Sequence, residues 1–306
     1  MATTLLLPSP NPTRWPDPAI LTGHLAPSSL RKYHQAQRAY LAFCDTPTQA
    51  FQAVTLARWR THLAQNTLLS PHTINRLLAA VKRLVHEAAA QGYVDGATAA
   101  AFARVAGVKP QALKHRLKAT ARTRLLPWHM RRLCDAPDPQ TLRGRRDRAL
   151  LATLASSGCR VSEVVTLTAA QVTARTGRFV LQVLGKNQTA PREAPLSQEA
   201  YMLIEAWLAR RPVESAYLFT SFAGRGPRAT AKPMSPTAVW QAVQHYAAVG
   251  GLQHVKPHDF RRFVGTELAK RDIRQAQKAL GHARIETTAK HYVLDELEVG
   301  LTDGLY

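Results

Sequence analysis

From Ser28 the apolar positions fall into a helical beat, because Leu30, Tyr33, Ala36, Tyr40 and Leu41 recur on one face and predict a helix over residues 28 to 44. A second helix is expected over 56 to 65. The third has the clearest pattern in this half: Ser70 stands as N-cap and Pro71 at the first helical position, followed by a stripe of Ile74, Leu77, Leu78, Val81, Leu84 and Val85. Its opposite face carries Asn75, Arg76, Lys82 and Arg83, which fits either plain solvation or contact with phosphate. A further helix over 97 to 105 completes a small all-α bundle.

The pattern changes in the second half. Helices are expected over 127 to 134 and over 147 to 157, where Ala149, Leu150, Leu151, Leu154 and Ala155 make a mostly apolar, buried segment. Gly158 stops that helix and leaves Arg160 on the turn before a short helix that Ser162 can cap. Residues 168 to 171 have the form of a capping box. Residues 178 to 183 alternate as a strand does, 185 to 192 are polar and turn-like, and 193 to 196 return as the paired strand. Helices over 198 to 210 and 237 to 249 follow. The fold class is therefore mainly α with a small β-sheet, and no internal repeat is visible.

Two segments lack any apolar period. Residues 1 to 26 carry Pro8, Pro10, Pro12, Pro16 and Pro18 and read as an extended or disordered arm. Residues 107 to 124 are strongly basic and read as an interdomain linker. These divide the chain into the arm, a helical domain over 27 to 106, the linker, and a second domain over 125 to 306 with a C-terminal tail. A chain of 306 residues is long enough for two cores.

Charge narrows the partner. Lys and Arg number 41 against 20 Asp and Glu, a formal +21, so the expected partner is a polyanion, with nucleic acid first. A membrane surface is the weaker reading, since no long apolar segment accompanies the basic residues. The N-terminal apolar run has no basic flank and stops at Pro8, unlike a secretory signal. Cys44, Cys134 and Cys159 show no paired spacing, which points to a reducing, cytoplasmic compartment, with the nucleoid expected for a DNA-bound protein. The histidines show no zinc spacing, there is no phosphate-binding Walker loop, and Gly224-Arg225-Gly226-Pro227 reads as a plain loop, so neither metal nor cofactor is expected.

The candidate chemistry concentrates between Lys256 and Tyr292. His258 and Arg261 are three apart and share a helical face. Leu280-Gly281-His282 reads as a helix closed by a glycine cap, and Tyr292 follows ten residues after His282, in a short helix over 287 to 294 that Thr287 or Thr288 would cap. A phenol, two imidazoles and a guanidinium are thus expected to converge.

The order His258-Asp259-Phe260-Arg261, then Leu280-Gly281-His282, then Tyr292, resembles the signature of the tyrosine recombinase (phage integrase, Xer-like) family. Upstream, Ser157-Gly158-Cys159-Arg160-Val161-Ser162-Glu163 resembles that family's first arginine box, and Leu184-Gly185-Lys186-Asn187 sits where the family carries a β-hairpin lysine. The resemblance implies a helical core-binding domain followed by a mixed α+β catalytic domain that clamps duplex DNA. It implies Arg160 and Arg261 as planar clamps on the phosphate, His282 as a donor to a non-bridging oxygen, and Lys186 as proton donor to the departing 5′ oxygen. Tyr292 would be the nucleophile that forms a 3′-phosphotyrosyl ester. An ordinary phenol is almost wholly protonated at neutral pH, so a proton acceptor is needed, and His258 is the natural one.

Plainer readings stand beside these. Arg160 pairs equally well with Glu163, Arg262 rivals Arg261, and Tyr201, Tyr217, Tyr246 and Tyr306 read as core or surface. The residues after Lys186, Asn187-Gln188-Thr189, depart from the family's usual run, and the spacing to Tyr292 is one residue longer than in many relatives; His291 is given no role. The resemblance further implies a homotetramer on paired sites, with residues 294 to 306 docking on a neighbouring copy or lying as a solvated tail, and a related recombinase or accessory DNA-bending protein as further partners. The alternatives are strand relaxation of the type IB topoisomerase kind, a DNA-binding protein without catalysis, and a basic structural protein without site preference.

Overall fold

The computed structural model describes residues 15–116, 124–185, 188–224, 226 and 228–292. The chain divides into two compact units, Met1–Thr120 and Ala121–Tyr306.

In the first unit α1 (Pro27–Leu41), α2 (Pro47–Ala50), α3 (Ala53–Asn66), α4 (Pro71–Ala90) and α5 (Gly96–Arg104) surround one apolar core. The expected bundle is present. Ser70 caps α4 by accepting from the Thr73 amide, and Ile74, Leu78, Val81, Leu84 and Val85 turn inward. The expected arm departs from expectation at its end: Trp15 and Leu21 are buried, with the Trp15 ring against Tyr40, Phe51 and Phe102. Within residues 15–26 the prolines do not keep the chain off the domain, because two large apolar side chains beside them find the core.

The expected linker likewise begins inside the unit. Val108 and Leu113 join the core, and a 3-10 stretch runs from Pro110 to Arg116. Its anchoring uses the polar face of α4. Asn75 exchanges two hydrogen bonds with the Val108 backbone, at 2.7 and 2.9 Å, Lys82 donates to the carbonyls of Ala103 and Val105, and Arg60 of α3 donates to that of Ala106. The carbonyls at the end of α5 need partners, so Lys82, which looked solvated, serves as its cap, while Asn75 and Arg60 hold the chain that follows.

The second unit is built on α7 (Leu142–Ser157), whose Ala149, Leu150, Leu151 and Leu154 are buried among α6 (Pro127–Asp135), α9 (Gln198–Arg210) and α11 (Pro257–Ala269). After α8 (Val161–Val164), β1 (Val172–Arg175), β2 (Arg178–Val183) and β3 (Arg192–Leu196) form an antiparallel sheet in that order, with Leu181 opposite Val172 and Ala194. A second hairpin, β4 (Thr220–Phe222) with β5 (Ala229–Pro233), precedes α10 (Pro236–Val249). Its strands are short and carry no sustained alternation, so the sequence pattern does not show it. Then come α11, α12 (Ile273–Leu280) and α13 (Ile285–Tyr292). The chain is mainly helical with small antiparallel sheets, as expected. Among the described residues no helix is long and apolar enough to cross a membrane.

Candidate active site

Two helix ends create the pocket. Gly158 closes α7 at φ 60° and Gly281 closes α12 at φ 65°, left-handed values that favour glycine. Each end leaves carbonyl groups without helical partners. Arg261, from the face of α11 that looks at both ends, donates Nη1 to Gly158 O at 2.9 Å and Nη2 to Leu280 O at 2.6 Å. Its side chain is only 1 % exposed. Arg262, one residue on and about 100° around the helix, pairs instead with Asp259 at 3.0 Å on the rim. The geometry thus separates the two rivals: Arg261 enters the pocket and Arg262 does not.

The turn after Gly281 places His282. Its backbone amide donates to Gln277 O, and Gln277 Nε2 returns a bond to His282 O. The ring reaches Arg261, with Nε2 3.0 Å from Nη2, and its Nδ1 lies 2.9 Å from Thr288 Oγ1. The helix carrying Tyr292 starts at Ile285, earlier than expected, so Thr288 is within it and not its cap. Thr288 and Tyr292 are one turn apart and face the same way. The Tyr292 ring stacks on His282 at 5.2 Å between centroids, its phenol is hydrogen-bonded to Arg261, and the residue is 3 % exposed. The longer spacing from His282 therefore still brings the phenol to the guanidinium.

Tyr292 fits because of Gly265. A Cβ at that position of α11 would lie 2.3 Å from Tyr292 Cδ1. Gly265→Ala is accordingly expected to push the ring off its seat and to slow any reaction of the phenol by roughly a hundred-fold, read as adduct formation on nicked DNA with circular dichroism unchanged.

Arg160 sits at the N-terminus of α8, with Glu163 beneath it. Glu163 is buried; its Oε1 takes Arg160 Nη1 at 2.8 Å, and its Oε2 takes the Arg160 amide at 2.8 Å and Arg192 Nη2 at 3.0 Å. The plain salt bridge is therefore real, yet the Arg160 side chain remains 36 % exposed and its charge is felt at Arg261 and His258. Arg192 also donates to Ala279 O and passes directly over Gly281, where a Cβ would meet its Cδ at 2.4 Å. One carboxylate thus joins α8, β3 and the end of α12.

His258, second residue of α11, is exposed at the rim. Asp259 fixes this turn by accepting from the Lys256 amide at 2.8 Å. Although the residue is exposed, neighbouring atoms desolvate its ring in part, and this first, then the Arg262 and Arg261 guanidiniums, hold the His258 pKa below its ordinary 6.5, with Asp259 opposing. The Arg261 pKa is lowered by burial first and then by Arg160, with Tyr292 and Glu163 opposing.

Arg160, His258, Arg261, His282 and Tyr292 are thus brought together within one unit, and Lys186 lies outside the described residues, as do residues 293 to 306. The hairpin that carries Lys186 has its root at the site, since a Cβ on Gly185 would lie 3.4 Å from Glu163 Oε1. Sequence reasoning passed over Arg192 and Gly265, and took Thr288 only as a possible helix cap and not as the partner of His282. Gly265, a glycine inside a helix, is the one with a signal, because such a residue costs about 1 kcal/mol and asks for a packing reason.

Residues 123–297 match the profile of the phage integrase family. The tyrosine recombinase XerD of Xanthomonas campestris pv. campestris is 36% identical over 165 residues, which cover 51% of this chain and 50% of that protein. XerD of Pseudomonas putida is 35% identical over 167 residues, covering 51% and 52%. The chain spans about half the length of the curated relatives it matches. Among solved structures, XerH site-specific recombinase bound to its difH substrate aligns with a TM-score of 0.64 at 18% identity, over 90% of this chain and 76% of that one. A lambda integrase dimer bound to a core site aligns at 0.64 and 15% identity, over 92% and 96%. At these identities the alignments speak to fold.

Proposed function

The chain belongs to the phage integrase family, and on that premise we propose that it is a site-specific DNA recombinase that cuts and rejoins duplex DNA through a 3′-phosphotyrosyl intermediate. The observation that carries the reading is the meeting of Tyr292, His282 and Arg261 in one cationic pocket, with Arg160 and His258 at its rim. In this reaction the Tyr292 oxygen attacks phosphorus, the bond from phosphorus to the 5′ oxygen breaks, and the leaving oxygen takes up a proton. Arg160, Arg261 and His282 meet the charge that grows on the non-bridging oxygens. His258 receives the phenol proton, and Lys186 supplies the one taken by the 5′ oxygen. The released 5′ hydroxyl then attacks the tyrosyl ester of a partner strand. One ester is exchanged for another, so no external energy source enters.

The depressed pKa of His258 suits an acceptor, since the ring is already deprotonated at neutral pH. In DNA-free protein its ring is expected to titrate by proton NMR with a midpoint below 6.5, and Arg262→Gln is expected to raise that midpoint. The folded protein binds fewer protons here than the unfolded chain, so this group's share of stability is present above 6.5 and is lost as pH falls through the depressed value.

A formal +21 supports duplex DNA as the substrate, and exchange between two duplexes calls for four copies acting together, with residues 294 to 306 as the contact between neighbours. A related recombinase or a DNA-bending protein would complete the assembly at the nucleoid. The test is a supercoiled plasmid carrying two copies of the site at which the protein attaches. Recombinant circles support the reading; relaxed circles alone indicate a topoisomerase, and retarded but uncut DNA indicates a binding protein.

A further inference from the structure

The two ring nitrogens of His282 face partners of unlike kind. A guanidinium offers only donors, so Nε2, 3.0 Å from Arg261 Nη2, must accept. The ring proton is then on Nδ1 and is donated to Thr288 Oγ1 at 2.9 Å. Thr288 has no solvent exposure, so no water competes for that bond. This is the reverse of what a donor to phosphate needs. To reach a non-bridging oxygen through Nε2, the ring must carry its proton there and present a bare Nδ1 to Thr288.

A hydroxyl serves both states, because it accepts from Nδ1–H and, turned about its C–O bond, donates to a bare Nδ1. We propose that Thr288 is a positioning residue that holds the His282 ring in place in either tautomer: in the DNA-free protein Arg261 sets the Nδ1–H form, with Nε2 parked on the guanidinium and the Nδ1 proton donated to Thr288. When a phosphate takes the place of Arg261 at that nitrogen, the same hydroxyl supports the Nε2–H tautomer. Protons balance: Nε2 takes one from water, Nδ1 returns one to water, and the ring begins and ends neutral. The pocket thus rests with its phosphate-binding groups satisfied by each other. The resting tautomer follows from the contacts alone, and the handover rests on the proposed strand-transfer reaction.

The experiment labels histidine nitrogens with 15N in the full chain and reads long-range proton–nitrogen spectra without DNA, alongside single-turnover adduct formation on nicked duplex. Wild type and Thr288→Ser are expected to show Nδ1 protonated and Nε2 bare at His282. In Thr288→Val the Nδ1–H is left without its acceptor, the Nδ1 resonances of His282 shift, and adduct formation falls about ten-fold, the effect of one unsatisfied buried polar atom; serine restores most of the rate. Thr288→Ala is the second variant without a hydroxyl. The proposal is overturned if wild type carries the proton on Nε2, if Thr288→Val keeps the wild-type Nδ1 resonances or the wild-type rate, or if Thr288→Ser is as slow as Thr288→Val. Absence of any adduct in the wild type overturns the strand-transfer reading and with it the handover, whereas the nitrogen spectra decide the resting tautomer by themselves.

Discussion

Tyr292→Phe is expected to abolish the covalent protein–DNA adduct while leaving DNA affinity unchanged. The substitution removes one oxygen and keeps the ring that fills the space beside Gly265 and stacks on His282, so folding and the pocket's shape persist. Duplex affinity rests chiefly on cationic contacts with phosphates spread over the surface, which a neutral phenol does not supply. The chemical step has no substitute, and losses of roughly four orders of magnitude or more are the usual result of deleting a nucleophile. The measurement uses a duplex nicked beside the scissile phosphate, so that the short 5′-hydroxyl fragment diffuses away and traps the protein on DNA. Tyr246→Phe is the control, a buried tyrosine whose hydroxyl bonds Asp147 at 3.0 Å, apart from the pocket; it is expected to form adduct normally. Adduct persisting in Tyr292→Phe would end the assignment.

Glu163→Gln is expected to produce the largest loss of stability among substitutions at the site. The glutamate is 4 % exposed, and the pair it forms with Arg192 is buried, with side-chain exposures of 10% and 2%. Removing one partner of such a pair leaves a guanidinium charge without compensation, at a cost of about 3 kcal/mol or more. That figure refers to the Arg192 pair alone, because the better-solvated Arg160 is screened and contributes less. In a unit of this size the loss appears as a fall in melting temperature on the order of 10 °C. Adduct formation should fall as well, since Arg160 loses the carboxylate that orients it. A melting temperature unmoved by Glu163→Gln would show that the carboxylate is not the junction the geometry indicates.

The meeting of Arg261, His282 and Tyr292 was legible in residue types and spacing, because an anionic phosphodiester, the substrate the resemblance implies, asks for guanidiniums and imidazoles, and helix caps place them. What holds them was not legible. Arg192 and Glu163 meet across 29 positions of sequence, and Thr288 meets His282 only because a helix begins at Ile285 and not two residues later. No local pattern encodes either meeting. In the first unit the polar face of α4 gave an ambiguous signal for a physical reason. A polar side chain looks the same whether it faces water or binds neighbouring backbone: Lys82 caps the end of α5, and Asn75 holds the backbone of Val108 beyond it. Trp15 and Leu21 were hidden by the prolines around them, which mark the backbone as extended but say nothing of where two large apolar groups will settle.

Arg261 ties two glycine-closed helix ends together through Gly158 O and Leu280 O. Tyr292 is held by that framework and adds little to it. Loss of the phenol is therefore expected to leave the fold in place, whereas loss of the guanidinium would leave both helix ends without their tie. Across related sequences, an arginine at this position marks the architecture, and a tyrosine at the place of Tyr292 is the separate mark of the proposed chemistry.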